Sequence, residues 1–210
     1  MTSACIVATA SIVAMLAAES SYAEGVASVR DLPDELRSTR SGRLSNADIT
    51  LLGVRIGRET LDQVQSKFGA AESFRHPPEG AGSDLELCYT LKSAGMSVWV
   101  IFGSGPMGWW KTVTHFQVLS SAPNGVLCAP SNLGSSPVVT RSGVSLGMAL
   151  GALRAKFGAP TEIGTNYAVF AFEQKSDHPQ RREFDMLSVL SATLTNQKVT
   201  SFHVSLIESN

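Results

Sequence analysis

Four histidines, His76, His115, His178 and His203, and a scatter of strand-borne carboxylates are the side chains of this 210-residue chain with most scope for acid-base or metal chemistry. A helical zinc site needs two histidines spaced as in H-x-x-x-H or H-x-x-E-H, so that both project from one face. No such pair occurs here. His76 and His178 stand beside prolines and read as solvated loop residues. The glycine-rich run Gly103 to Gly108 lacks the Lys-Ser/Thr of a phosphate loop and precedes a strand, so it reads as a hairpin loop. Asp84, Glu86, Glu173 and Asp185 lie on or beside predicted strands, where alternation on an exposed face explains them without catalysis. Asp177 to Glu183 is a charge run of the kind found in solvated loops. No catalytic residue, no metal ligand and no cofactor is assigned, and the chain is read as non-enzymatic.

The cysteines and the N-terminus point out of the cytoplasm. Ala4 to Ala18 is an almost unbroken apolar run without charge, of about the length of a signal-peptide core and short for a membrane span. Ser21-Tyr22-Ala23 then supplies small residues for cleavage before Glu24. The segment ahead of the run has no Lys or Arg, which keeps a retained membrane anchor as the alternative. Cys5 leaves with the signal, and Cys88 and Cys128 remain as an even pair where disulfides persist. Cleavage removes one of 18 acidic residues, Glu19, and none of the 17 basic ones, so the mature chain is formally neutral. Neutrality argues against nucleic acid as a partner. A periplasmic or secreted protein without stable membrane insertion is expected.

Five segments follow: a signal peptide (1–23), a flexible basic leader (24–48), a first repeat (49–122), a linker (123–137) and a second repeat (138–208). The leader carries Arg30, Arg37, Arg40 and Arg43 without an apolar period. Gly53-Val54-Arg55-Ile56-Gly57 leads through Leu61, Val64 and Phe68 to Gly69, and Gly143-Val144-Ser145-Leu146-Gly147 leads through Leu150, Leu153 and Phe157 to Gly158. Each gives apolar residues at i, i+3 and i+7 and ends on Lys-Phe-Gly, a short amphipathic helix with a C-terminal glycine. Val113-Thr114-His115-Phe116-Gln117-Val118 likewise matches Val199-Thr200-Ser201-Phe202-His203-Val204. Between these blocks Asp84 to Leu91 alternates with period two, as do further strand-like stretches through Trp110 to Leu119 and Tyr167 to Ile207. The expected fold is α+β, two tandem helix-plus-antiparallel-meander units with helices on one face of the sheets.

A strand leading to the Gly-x-x-(x)-Leu-x-x-Val/Leu helix, then Phe-Gly-Ala and a three-stranded meander, resembles the SmpA/OmlA-like outer-membrane lipoproteins and, as a tandem pair, the β-lactamase inhibitory protein family. The resemblance spans most of Ile49 to Ile207 and implies a small, secreted, non-enzymatic domain that binds another protein with its sheet. There is no lipobox cysteine after the signal, and Cys88 with Cys128 does not reproduce a bridge within each repeat.

Parity along the matched strands selects the binding face. Phe116, Val118, Phe202 and Val204 need the core, so Trp109, Lys111, His115, Gln117, Ser201 and His203 are expected on the opposite, open face. Aromatic and polar side chains together suit a wet, specific interface with a protein of the cell envelope or extracellular space. A small-molecule or lipid carrier with a cavity between helices and sheet, and a hydrolase without a recognisable motif, are the alternatives.

Overall fold

The structure, a computed structural model, describes residues 38–76, 84–105, 111–175 and 185–209. The segment expected to be a signal peptide, Trp109, Trp110 and His178 lie outside the described residues. In chain order the elements are β1 (Arg40–Ser41), β2 (Thr50–Leu51), β3 (Val54–Arg55), α1 (Leu61–Phe68), β4 (Ser73–His76), β5 (Asp84–Ser93), β6 (Met96–Ser104), β7 (His115–Leu119), β8 (Ala129–Ser135), α2 (Leu150–Phe157), β9 (Glu162–Ile163), β10 (Tyr167–Gln174), β11 (Asp185–Thr195) and β12 (Lys198–Ser209).

The expected α+β class is corrected by this inventory. Among the described residues 52% are strand and 11% helical, and ten strands form one mixed sheet in the order β1-β10-β11-β12-β7-β6-β5-β4, with β8 beside β5 and β9 beside β10. The reason lies in element lengths. Each helix-period block yields only eight helical residues, because the glycine-bracketed stretches before them are turns and short bridged segments, whereas the long strands run to twelve residues. The meanders β5-β6-β7 and β10-β11-β12 then meet edge to edge through β7 and β12 and make one sheet.

Three further segments differ from expectation. Ala129–Ser135, read as linker, pairs in parallel with β5 as an outer strand, where Pro130 removes no ladder bond a central strand would need. Arg40–Ser41, read as leader, pairs in parallel with β10, and Arg40 places its guanidinium 4.8 Å from the Phe172 ring centre. The strand expected from Trp110 begins only at His115. Lys111 adopts a left-handed φ of 59°, and Val113 exchanges hydrogen bonds with Glu59 and Gly57, outside the main sheet.

Local chemistry sets the two helices. Thr60 caps α1 by accepting from the Gln63 N–H while the Gln63 side chain accepts from the Thr60 N–H, a reciprocal capping box. Ala149 offers α2 no such cap, so the Leu150 N–H donates instead to the Gln197 carbonyl at 2.9 Å. Gln197 can present it because Asn196 and Gln197 both take positive φ, a two-residue hairpin turn between β11 and β12.

Leu61, Val64 and Phe68 of α1 and Leu150, Leu153 and Phe157 of α2 enter one core with Tyr89, Phe102, Phe116, Phe170 and Phe202 from a single face of the sheet. Phe68 packs 5.1 Å from both Tyr89 and Phe102, and the ring series continues through Phe116 to Phe202 at 6.5 and 6.4 Å. On the other face the parallel register sets Tyr89 against Ala129, which brings the preceding Cys88 and Cys128 to a Cα separation of 4.6 Å, and they form a disulfide.

Phe68 is fully buried among rings, whereas Phe157 retains 8% exposure and stacks on Phe170 alone among the described rings. Phe68→Ala is expected to cost about 3 to 5 kcal/mol in urea unfolding and Phe157→Ala distinctly less. Equal losses would contradict this packing.

Candidate functional site

Alternation places a second set of side chains on the face away from the helices. In one row across the sheet, Glu86 of β5 lies opposite Gly103 of β6, Gly103 opposite His115 of β7, and His115 opposite Ser205 of β12. In the next row Cys88, Ile101, Gln117, His203 and Ser191 follow one another across the same strands and β11. Strands two apart in a sheet are separated by about 10 Å, too far for ordinary side chains to meet over an occupied middle strand. Gly103 removes that obstacle. The His115 ring lies across β6, and Nε2 donates to Glu86 Oε1 at 3.1 Å. A Cβ on Gly103 would overlap Nε2 and Cε1 of His115, so only glycine permits this contact.

The pair is closely held. Glu86 and His115 are each 9% exposed, and His115 Nδ1 lies 3.3 Å from Thr114 Oγ1, which also accepts from the Gly105 N–H at 2.8 Å. Asp84, two residues before Glu86 on the same face of β5, brings a carboxylate oxygen within 4.8 Å of the Glu86 and His115 ligand atoms. Gly105 leaves room for it, since a Cβ there would stand 3.1 Å from Asp84 Oδ1.

His203 is buried beside this group, its ring 5.3 Å from that of His115 in an edge-to-face arrangement. Burial, and secondarily the proximity of His115, pushes its pKa down to about 3. Its Nδ1 has no hydrogen-bond partner among the described residues, and neither do Ser191 Oγ and Ser205 Oγ. All three atoms belong to the same two rows. A buried polar atom left unpaired costs about 1 to 3 kcal/mol, so such a concentration calls for an explanation.

The structure brings four of the sequence-assigned residues together on this face: His115, Gln117, Ser201 and His203. It does not present them on an open surface, because His115, Ser201 and His203 are buried and Gln117 is half-buried. Lys111 leaves the group. Its left-handed backbone breaks the alternation on which its assignment rested, and its exposed ammonium reaches Asp62 at the start of α1.

Asp84, Glu86, Ser191 and Ser205 were not assigned from sequence. Glu86 looked like a solvent-facing strand carboxylate, and its partner lies 29 positions away on a strand that is not its neighbour. Gly103 carried the usable signal, a glycine ending an apolar strand pattern where a neighbour could approach closely. Gly143 to Gly147 also spells G-x-S-x-G. Ser145 there forms an isolated bridge with Val139, on the approach to α2, whereas His115 and His203 face the opposite side of the sheet. The string makes a turn, not a nucleophile elbow.

The His203 shift has a defined consequence. Unfolded, the imidazole takes up a proton below its ordinary value of 6.5; folded, it does not until about pH 3. Stability present above pH 6.5 is therefore lost as pH falls toward 3, by up to about 1.4 kcal/mol per pH unit from this group. Denaturant unfolding of His203→Gln between pH 6 and 4 is expected to show a flatter decline than wild type; parallel slopes would contradict the burial. The sequence matches no protein-family model, no curated protein and no solved structure, so the functional reading rests on this geometry.

Proposed function

We propose that the protein is an exported, non-enzymatic binding module, periplasmic or secreted, that receives a group of a partner protein on the sheet face away from its helices. The observation that carries this reading is the set of buried side-chain atoms without partners, Ser191 Oγ, His203 Nδ1 and Ser205 Oγ, on that one face. A polar partner group entering between them would relieve their desolvation while Gln117, half-buried beside them, contacts its flank. The Cys88–Cys128 disulfide is compatible with a non-cytoplasmic setting, and no described helix is long and apolar enough to cross a membrane.

The carrier reading has less support. Phe68, Leu153, Phe102, Phe116 and Phe202 are fully buried in the layer between helices and sheet, where a carrier would need its cavity. A cavity of about 230 Å³ beside α2 is lined by Arg43, Asp48 and Lys156 as well as Phe157 and Phe172, a charged rim poorly matched to an apolar ligand.

A hydrolase gains one favourable observation, a cluster of polar groups around a histidine whose ionisation is displaced. Among the described residues no nucleophile is aligned with it. Both ring nitrogens of His115 are engaged, by Glu86 and by Thr114, and Ser205 Oγ opposite it bonds to neither.

A photo-crosslinking phenylalanine analogue at Gln117, compared with one at exposed Glu72, tests the binding face. Exposed to an envelope extract, the Gln117 probe is expected to give a discrete adduct that excess wild-type protein competes away, and the Glu72 probe none. No adduct at Gln117, or the same adducts from both positions, would contradict the proposal.

A further inference from the structure

We propose that Asp84, Glu86 and His115 form a binding site for a divalent cation of the zinc class. The inference stands apart from the protein-binding reading, since it depends only on the row that crosses β5, β6 and β7. One imidazole nitrogen and two carboxylate oxygens are offered by these residues, all within 4.8 Å of one another. Two atoms bound at about 2.1 Å to a tetrahedral centre lie about 3.4 Å apart. His115 Nε2 and Glu86 Oε1, at 3.1 Å, stand near that spacing already. A modest swing of Asp84 would complete three protein ligands, with the fourth position left to water.

Two features favour an ion over a plain ion pair. Gly103 and Gly105 leave the room that lets the His115 ring and the Asp84 carboxylate converge with Glu86, since side chains at either would crowd His115 or Asp84. Thr114 holds the second nitrogen of His115, the outer contact that orients a metal-bound imidazole. Asp84 is only half-buried and gives the ion a route in.

The donor set selects the metal. Cys88 and Cys128 are bonded to each other, so no thiolate from them is available to soft ions. Calcium and magnesium favour all-oxygen shells, and an imidazole with two carboxylates suits zinc or its cobalt substitute.

Calorimetric titration of chelator-treated full-length protein with zinc chloride tests the assignment. Wild type is expected to bind one equivalent. Asp84→Asn, which leaves the Glu86–His115 contact in place, is expected to lower affinity roughly tenfold or more, and Glu86→Gln and His115→Asn to abolish binding. If the last two fail to fold, the Asp84→Asn comparison still decides. In a second measurement, cobalt added to wild type is expected to give intense visible bands of four-coordinate geometry that are weakened in Asp84→Asn. No zinc binding by wild type, or binding that Asp84→Asn leaves unchanged, would overturn the proposal.

Discussion

The pairing of β7 with β12 is the contact on which the rest depends. Five consecutive residue pairs, from His115 with Ser205 to Leu119 with Ser201, join two meanders that would otherwise end in unpaired edges. Because strand side chains alternate, this register sends Phe116, Val118, Phe202 and Val204 into the helix-covered core and His115, Gln117, Ser201 and His203 to the other face. A slip of one residue would exchange the two sets, burying imidazoles among rings. The aromatic series from Phe68 through Phe102 and Phe116 to Phe202 opposes such a slip, since it spans the seam and packs only in this register.

What the seam delivers on the far face is costly for stability. An apolar second face would satisfy itself, as Val169, Ala171 and Val189 do nearby. Instead the central rows hold a carboxylate, two imidazoles and two serine hydroxyls, with three of their atoms unpaired among the described residues. Places where a sequence departs from the packing rules it follows elsewhere are where function is expected. Gly103 fits the same view: it forgoes a side chain in the interior of a sheet so that His115 can cross β6 to Glu86.

The legible parts of the fold were those with local causes. The i, i+3, i+7 spacing and terminal glycine locate α1 and α2, and the expected pairing of Cys88 with Cys128, the two cysteines beyond the N-terminal apolar run, is the disulfide of the structure. Alternation assigned the two faces of β7 and β12 correctly within those strands. It failed where backbone geometry interrupted the strand, as at Lys111 with its left-handed φ, and parity gave no warning. Fold class was misjudged because two eight-residue helices look substantial in a pattern, whereas edge pairing between distant strands leaves no local trace. The Glu86–His115 contact was hidden for a similar reason, since reach across an intervening strand depends on what that strand lacks.

The central claim is that His203, in the middle of the polar rows away from the helices, is itself buried. Imidazole nitrogen and carbon shifts followed by NMR across a pH titration report this directly. The account predicts that the His203 ring stays neutral from pH 8 down to pH 4, consistent with a pKa held near 3. Titration of His203 with a midpoint near the ordinary histidine value of about 6.5 would contradict it.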